Sequence, residues 1–335
     1  MEIRAKDISG VLEHNKVPSF DLIDVELGRV ARLIGEQLAC DSDTTVISRL
    51  VGTLDACRGK MLRPGLVLLA GAACGGITQE HIRVGAIIEI IHNATLLHDD
   101  VMDDGKKRRG KPTINSLWGN EAAILLGDFL LSKVFSMGAA LESPVVKILA
   151  ETTARICEGE LKQMVGRQNW QLGEAEYIEI ITDKSAGLFA CCCRVGGLLS
   201  GVGEGDIRNL ADFGLNTGIA FQIVDDVLDI VGDEKRAGKT LGSDLHKDKP
   251  TLAIIHLLGQ LDASDREIVI QELSTPGSDK QQVVELLGRW GSLEYAQGRA
   301  RWFVRQAIMA VDGLKDSAAK QALIRTARFV GRVKI

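Results

Sequence analysis

Apolar residues recur every three to four positions along most of the chain, with charged residues between them, which is the period of helices buried on one side. The first helix is predicted to begin after Pro18, with Ser19 as its N-cap. Its apolar positions are Leu22, Val25, Leu33 and Leu38. The later predicted helices cover residues 44–54, 64–76, 78–103, 120–141, 143–165, 173–200, 205–231, 251–261, 264–274, 280–290, 292–312 and 316–331.

The rest of the pattern indicates a single all-α domain. We find no convincing strand, no low-complexity segment and no Pro/Ser linker. The chain has 335 residues, which exceeds the usual length of one domain. The absence of a linker is therefore the observation that favours one domain over two. Residues 1–335 are therefore predicted to form one domain, with residues 1–18 as an N-terminal extension.

Composition excludes several classes of protein. Hydrophobic residues make up 45% of the chain and aromatic residues only 4%, which favours packed aliphatic helices. The net charge of −5 offers no basic surface for nucleic acid. The longest nearly uncharged run, residues 65–79, is too short to span a membrane, and the charged N-terminal region argues against a signal peptide. The seven cysteines contain no CxxC motif and read as small buried residues in a reducing compartment, so we expect a cytoplasmic protein.

Four carboxylates occur within residues 99–104, and five basic side chains follow within residues 106–111. If Asp99 lies on a helix, Asp103 lies one turn further along the same face. Two carboxylates at that spacing repel each other, and a nearby cation would offset the repulsion. Mg²⁺ suits this role because it prefers oxygen ligands and also binds substrate phosphates.

The chain repeats this arrangement about 120 residues later. Asp225, Asp226 and Asp229 form a second DDxxD motif after an aliphatic lead, and basic residues follow within residues 235–239. Acidic runs at helix ends are usually solvated surface, but two copies predict two helices that face each other across a metal and diphosphate site. A ring of antiparallel helices around a central cavity would bring the two motifs together.

These two motifs, together with the segment Gly59-Lys60-Met61-Leu62-Arg63-Pro64, resemble those of the trans-isoprenyl diphosphate synthases, and within them the long-chain polyprenyl, octaprenyl-like branch. The resemblance extends from about residue 20 to the C-terminus. It implies the isoprenoid synthase fold and the condensation of isopentenyl diphosphate with an allylic diphosphate, repeated to a long all-trans chain. The product would be directed to a membrane, as in the side chain of a quinone.

The resemblance also implies roles for individual residues. Two or three Mg²⁺ ions would be held by Asp99, Asp103, Asp225, Asp226 and Asp229. The allylic diphosphate would meet Arg108, Lys184, Ser185, Gln222, Lys239 and Lys249, with Lys184 and Gln222 also near the carbocation. Isopentenyl diphosphate would bind Lys60, Arg63, His92 and Arg109. The small residues Ala94 and Thr95 would let the growing tail pass and so set a long product.

Some positions depart from the family or have a plainer interpretation. Ser185 stands where threonine is commoner, and Asp248 stands where glycine is usual before Lys249. His92 lies seven residues before Asp99 and so shares its helix face, although a lone histidine among aliphatic residues is more often a core residue. His98 and the run Cys191 to Cys193 are interpreted as structural.

Several alternatives remain open. A short-chain farnesyl or geranylgeranyl diphosphate synthase would use the same site. A terpene cyclase or a head-to-head synthase would not need the isopentenyl diphosphate pocket, and a non-catalytic partner subunit would tolerate eroded aspartates, which this chain does not show. A homodimer is expected, with the apolar helix over residues 120–141 as a candidate interface.

Overall fold

A computed structural model of the chain describes residues 17, 19–39, 46–55, 59–231, 249–275 and 280–331. Helices dominate the described residues, which bears out the predicted all-α fold. A 3₁₀ turn, Phe20–Ile23, precedes the first helix. The helices are α1 (Asp24–Leu38), α2 (Val46–Asp55), α3 (Leu62–Ala73), α4 (Gln79–Met102), α5 (Ile114–Trp118), α6 (Asn120–Gly138), α7 (Ser143–Val165), α8 (Glu174–Ile181), α9 (Gly187–Leu199), α10 (Glu204–Val231), α11 (Leu252–Gln260), α12 (Ala263–Leu273), α13 (Lys280–Arg289), α14 (Ser292–Ala310) and α15 (Ala318–Val330).

The two longest helices, α4 and α10, are the ones that carry the acidic motifs. Helix α4 packs against α1, α3 and α6, and α10 packs against α9 and α14. Both helices bury apolar residues on most of their circumference, as expected of helices surrounded by others. Their C-terminal ends, with the motifs, are therefore held by neighbours on several sides.

The start of α4 shows how a local cap and a long-range contact combine. The backbone N–H of Thr78 donates to His81 Nδ1 (3.1 Å), and His81 Nε2 lies 3.0 Å from the carbonyl oxygen of Gly196 on α9. His81 is fully buried, and burial lowers the pKa of its ring. A neutral imidazole that accepts at Nδ1 and donates at Nε2 satisfies both partners. Thr78 therefore begins the helix as predicted, and His81 fixes it to α9.

Some predicted helix boundaries hold and others do not. Helix α7 covers residues 143–165 as predicted. Residues 173–200 were predicted as one helix, but they form α8, a π-helical segment (Thr182–Ala186) and α9. Asp103 caps the end of α4 and is not in its last turn. Helix periodicity cannot reveal a π segment, because one extra residue per turn leaves the apolar pattern on both sides intact.

The first helix differs most from its prediction. The Ser19 side chain makes no cap bond, and its Oγ lies 2.6 Å from Thr326 Oγ1 on α15. Leu22 and Val25 are 48% and 74% exposed, so they do not form the buried face. The buried residues of α1 are Val30, Ile34 and Leu38. Leu38 is buried and Leu33 packs against the core, as predicted. Only the first two predicted positions, in and next to the 3₁₀ turn, face outward.

A short hairpin follows α4, where no strand was predicted. Strands β1 (Lys107–Arg108) and β2 (Lys111–Pro112) pair antiparallel. The two residues between them, Arg109 and Gly110, have φ of 52° and 77°, the signature of a type I′ turn. Strands of two residues are too short to give an alternating pattern in the sequence.

No helix in the described part of the chain is long and apolar enough to cross a membrane.

Candidate active site

A cavity of about 1250 Å³ lies between the ends of α4 and α10. Its wall also includes the β1–β2 hairpin, one face of α7 and the π-helical segment. Most of the predicted site residues line it, namely Lys60, Arg63, His92, Thr95, Asp99, Asp103, Arg108, Arg109, Lys184, Ser185, Gln222, Asp225, Asp226, Asp229 and Lys249. Ala94 is not among the lining residues, and Lys239 lies outside the described residues.

Asp99 and Asp103 lie at the end of α4 and face the cavity. The pKa of Asp99 is raised to about 6, mainly by burial; Lys184 opposes this rise, and the nearby carboxylates Glu160 and Asp103 contribute to it. Asp103 Oδ1 lies 3.5 Å from Lys249 Nζ and 3.6 Å from a terminal nitrogen of Arg167. The first motif therefore lies close to basic side chains from distant parts of the chain.

Asp100 has a different role from its neighbours in the motif. It is buried, and Arg108 donates to it from Nη2 (2.8 Å) and from Nε (3.1 Å to Oδ2). Asn115 Nδ2 donates to its backbone carbonyl (3.0 Å) and to that of Gly105 (3.1 Å). This network holds the hairpin against the end of α4, and it directs Arg108 towards the cavity.

The second motif, on α10, is held by neutral donors. Tyr177 on α8 donates its hydroxyl to Asp226 Oδ2 (2.7 Å), and Gln222 Nε2 donates to Asp226 Oδ1 (2.8 Å). Asp226 and Asp229 are 8% and 2% exposed, whereas Asp225 is more open to the cavity. The two DDxxD motifs thus line one cavity, as their repetition predicted.

The donor set suits Mg²⁺ bound together with diphosphate. Asp99, Asp103 and Asp225 present only oxygen atoms, from two facing helices. Within the ranges described, no three His, Cys, Asp or Glu side chains are gathered closely enough to hold an ion by themselves. Mg²⁺ commonly binds through one or two carboxylates and completes its shell with water and substrate phosphates. The residues present fit this type of site.

The π-helical segment places Lys184 in the cavity wall. Its ammonium contacts Glu160 and donates to Gln163 Oε1 (2.7 Å), both on α7. Burial opposes its charge, but Asp99 and Glu160 raise the pKa of Lys184 above its ordinary value, so it stays protonated. Gly159 makes this approach possible, because a Cβ there would lie 2.4 Å from the backbone nitrogen of Lys184. Single π turns of this kind often occur at functional sites.

Lys60, Arg63, His92 and Arg109 form a second group in the wall of the same cavity. Arg63 Nη1 lies 2.9 Å from His92 Nε2. Burial, and then Arg63 and Arg109, lower the pKa of His92 well below its ordinary value. His92 is therefore neutral and accepts from Arg63, so the predicted pocket contains three cations and one neutral histidine.

The basic side chains of this group are held by aromatic rings and by the hairpin. The Arg63 guanidinium lies 5.0 Å from the centre of the Phe189 ring, and Lys60 Nζ lies 5.3 Å from that of Phe329 on α15. The type I′ turn brings the Arg109 guanidinium against Gly59, where a Cβ would meet it at 2.4 Å. Three segments far apart in the chain thus meet to present these cations.

The chain is similar to proteins of one known family. The sequence profile of the polyprenyl synthetase family matches residues 45–288, which is most of the chain. The chain belongs to the polyprenyl synthetase family. It is accordingly a prenyl diphosphate synthase, an enzyme that transfers prenyl groups.

The relatives of this polyprenyl synthetase differ in the product that their names give. It is 35% identical to octaprenyl diphosphate synthase of Escherichia coli, over 92% of this chain and 96% of that one. It is 38% identical to a short chain isoprenyl diphosphate synthase of Methanothermobacter thermautotrophicus, over 81% and 86%. A crystal structure of a Caulobacter crescentus polyprenyl synthase, complexed with calcium and isoprenyl diphosphate, superimposes with a TM-score of 0.88 at 32% identity, covering 94% of this chain and 97% of that one.

Several residues of the site carry no signal that the sequence alone reveals. Asp100 was passed over although it belongs to the first motif, because the motif alone does not show which carboxylate turns inward. Glu160, Gln163, Arg167 and Tyr177 carry no motif that one sequence could reveal. Glu160, Gln163 and Tyr177 line the cavity because α7 packs against the π-helical segment and α8 packs against α10. Arg167 follows α7 and contacts Asp103.

Proposed function

We propose that the chain condenses isopentenyl diphosphate with an allylic diphosphate, and repeats the reaction to give a long all-trans polyprenyl diphosphate, with octaprenyl diphosphate as the first choice. The observation that carries this proposal is one cavity whose wall contains both DDxxD motifs and also Lys60, Arg63 and Arg109. Two separate anion-binding regions match a reaction that joins two diphosphates. A short-chain synthase with the same site remains the alternative.

The allylic substrate would place its diphosphate between the two motifs. Asp99, Asp103 and Asp225 would hold Mg²⁺, which when bound supplies a Lewis acid for the charge that develops on the leaving diphosphate. Lys184, Lys249 and Arg108 would receive phosphate oxygens that the metal does not cover. These interactions strengthen as the C–O bond breaks, because the charge on the leaving group grows, so they favour the transition state. The role of Lys239 stays a prediction.

Isopentenyl diphosphate would bind at Lys60, Arg63, His92 and Arg109. The three cations supply charge, and the neutral His92 supplies one N–H donor whose orientation is fixed by Arg63. No carboxylate of the DDxxD motifs belongs to this group, so its diphosphate would be bound without competing for the metal. The two substrates would then lie with their reacting carbons between the two groups.

The allylic cation needs electron density nearby without a nucleophile that could trap it. The Gln222 side chain and the Lys184–Ser185 step line the same cavity and offer amide and carbonyl oxygens. An amide oxygen stabilises positive charge through its dipole and is a poor nucleophile. We assign cation stabilisation to these groups.

Product length would depend on the wall along α4. Thr95 lines the cavity one turn before Asp99, and its hydroxyl is occupied with the carbonyl of His92 (2.9 Å). Ala94 is 1% exposed and belongs to the apolar core next to this wall. A small side chain at residue 95 leaves room for a tail to continue, which supports a long product. We expect Thr95 to have the larger effect of the two.

A homodimer is also part of the proposal. Helix α6 exposes apolar side chains that an isolated chain would leave in water, including Leu125 (68% exposed) and Phe135 (77%). Helix α7 adds Leu161 and Val165, which are 57% and 81% exposed. Apolar surface of this kind is typical of a subunit interface. The magnesium requirement and a cytoplasmic location remain expectations.

The deciding experiment is incubation of the enzyme with farnesyl diphosphate, isopentenyl diphosphate and Mg²⁺, followed by chromatography of the products. We expect chains of about seven to ten isoprene units, and no product after chelation with EDTA. Products no longer than geranylgeranyl diphosphate would support the short-chain alternative. A cyclised hydrocarbon, or no reaction with isopentenyl diphosphate, would overturn the proposal.

A further inference from the structure

Tyr177 is a buried tyrosine on α8 that the reaction described above does not use. It is 4% exposed, and its hydroxyl donates to Asp226 Oδ2 at 2.7 Å. Asp226 comes from α10, so this hydrogen bond joins two helices across the edge of the cavity. A hydrogen bond between a buried hydroxyl and a buried carboxylate fixes the orientation of both groups. Water cannot reach them to replace the bond, so breaking it is costly.

The other oxygen of Asp226 accepts from Gln222. Gln222 Nε2 lies 2.8 Å from Asp226 Oδ1, one turn away on the same helix. A carboxylate can only accept hydrogen bonds, so it selects the NH₂ end of the amide and turns the Oε1 end away. Gln222 and Asp226 both line the cavity, which means that the selected orientation decides which end of the amide meets the substrate.

The three residues thus form a chain of hydrogen bonds from Tyr177 through Asp226 to Gln222. We propose that Tyr177 is a positioning residue that holds Asp226 in the rotamer that orients Gln222, so that the amide oxygen of Gln222, and not its NH₂ group, faces the allylic cation. An amide turned the other way would present a partial positive charge to the cation and would oppose ionisation. The inference rests on the proposed function, since it concerns the cation formed in that reaction.

The expected effect is on the chemical step and not on substrate binding. Tyr177→Phe keeps the ring and its packing but removes the hydroxyl, so Asp226 and Gln222 can adopt other rotamers. The single-turnover rate of the first condensation, with farnesyl diphosphate and saturating isopentenyl diphosphate, should fall by about tenfold, because the lost interaction acts mainly in the transition state. The KM values for both substrates, and the affinity for the unreactive analogue farnesyl thiolodiphosphate in the presence of Mg²⁺, should stay within about twofold.

The chain offers a matched control. Tyr295 is its only other tyrosine, and it also donates its hydroxyl to a carboxylate of α8, that of Glu174. Neither Tyr295 nor Glu174 is among the described residues that line the cavity. Tyr295→Phe removes the same kind of bond to the same helix at a partly exposed position, so it should lower the melting temperature by no more than Tyr177→Phe does and leave the condensation rate unchanged.

A double-variant experiment separates positioning from general support of the fold. If Tyr177 acts through Gln222, the Tyr177→Phe/Gln222→Leu enzyme should be no slower than Gln222→Leu alone, because the second change removes the group that the first misplaces. Additive losses would overturn the inference, and so would an unchanged rate in Tyr177→Phe or a loss confined to KM. A wild-type enzyme that does not join the two substrates would overturn the proposed function and this inference together, whereas an active wild type with any of these results overturns only the inference.

Discussion

Burial raises the pKa of Asp99 to about 6 from an ordinary value of 3.8. Above pH 6 the folded protein without metal must keep this carboxylate ionised in a place that disfavours its charge. The unfolded chain has no such cost, so Asp99 lowers the free energy of unfolding progressively as the pH rises from about 4 to about 6. A bound cation reverses the sign of this effect. Asp99 therefore favours the binding of a cation, and it lowers the free energy of unfolding of the protein without metal.

Asp99→Asn tests this cost. In EDTA at pH 7.5 the variant should unfold at a higher temperature than the wild type, because it removes an ionised group that costs up to about 3 kcal/mol. The gain should shrink by more than half at pH 4.5, where the folded wild type has already bound the proton. Turnover at pH 7.5 with saturating Mg²⁺ should fall by at least about 100-fold.

Thermal melts of both proteins at the two pH values, with Asp312→Asn as an exposed control, measure the effect. An Asp99→Asn enzyme that is less stable than the wild type at pH 7.5 would contradict the assignment of a buried, destabilising carboxylate. Turnover within about tenfold of the wild type would contradict its role as a metal ligand.

Lys60 is exposed and lies against the Phe329 ring at the second group of cations. Lys60→Ala should raise the KM for isopentenyl diphosphate by about tenfold or more and leave that for the allylic diphosphate nearly unchanged, because it removes binding from one substrate only. Steady-state kinetics with each substrate varied in turn measure the two effects. Lys315→Ala, an exposed lysine between α14 and α15, is the control. Equal increases in both KM values would mean that the two diphosphate regions have been assigned wrongly.

The π-helical segment between α8 and α9 is the element that brings Lys184 and Ser185 into the cavity. The π-helical turn contains one residue more than an α-helical turn, and the neighbouring helix α7 comes very close to it. Gly159 of α7 allows this close approach, because any side chain at that position would meet the backbone of residues 183 and 184. The shape of this element is thus decided by a glycine on another helix.

Gly159→Ala should therefore lower both stability and activity. The new Cβ would lie 2.4 Å from a backbone nitrogen, so either α7 or the π segment must move. We expect a loss of about 1–3 kcal/mol in the free energy of unfolding and a several-fold loss of turnover. Gly28→Ala is the matched control, because a Cβ there meets nothing within 4 Å in the exposed part of α1, and it should stabilise the protein by about 0.5–1 kcal/mol. Equal effects of the two changes in urea unfolding would show that the close approach has no consequence.

The length of the product depends on the whole molecule, because the tail occupies the space that several helices leave between them. Thr95→Phe would place a ring in the cavity one turn from Asp99. We expect it to shorten the product to about three or four isoprene units while the rate of the first condensation changes little, whereas Thr95→Val, which keeps the size, should leave the product long.

Chromatography of the products from both variants, and from Ala94→Phe, tests the path of the tail. An unchanged product from Thr95→Phe would mean that the tail does not pass this wall. A shorter product from Ala94→Phe alone would place the tail on the core side of α4, against the burial of that residue.

Association of two chains, like product length, depends on more than one helix. Phe135→Glu places a charge in the exposed apolar face of α6, so it should convert a dimer to monomers, because burying an unpaired charge costs several kcal/mol. Light scattering after size-exclusion chromatography measures the mass. Phe135→Leu, which keeps the apolar character, should stay dimeric. A wild type of one-chain mass would contradict the homodimer at once.

The sequence by itself determined the helical class, most helix positions and the two acidic motifs. Helix period and caps are local properties, so α7 and the start of α4 could be predicted from neighbouring residues alone. Asp99, Asp103 and Asp225 could be chosen because the chemistry of a metal and diphosphate site needs carboxylates at helical spacing, and the repetition of the motif removed the ordinary interpretation of a solvated surface.

Only the tertiary structure decided how each side chain is used. Whether a carboxylate faces the cavity or a partner depends on which helices lie beside it, and so Asp100 turned to Arg108 and Asp226 to Tyr177 and Gln222. The neutral state of His92 depends on burial, on Arg63 and on cations from the hairpin, which is itself too short to leave a pattern. The π segment depends on Gly159, a residue of another helix. Each of these outcomes is set by packing between segments far apart in the chain, and local periodicity contains no record of such packing.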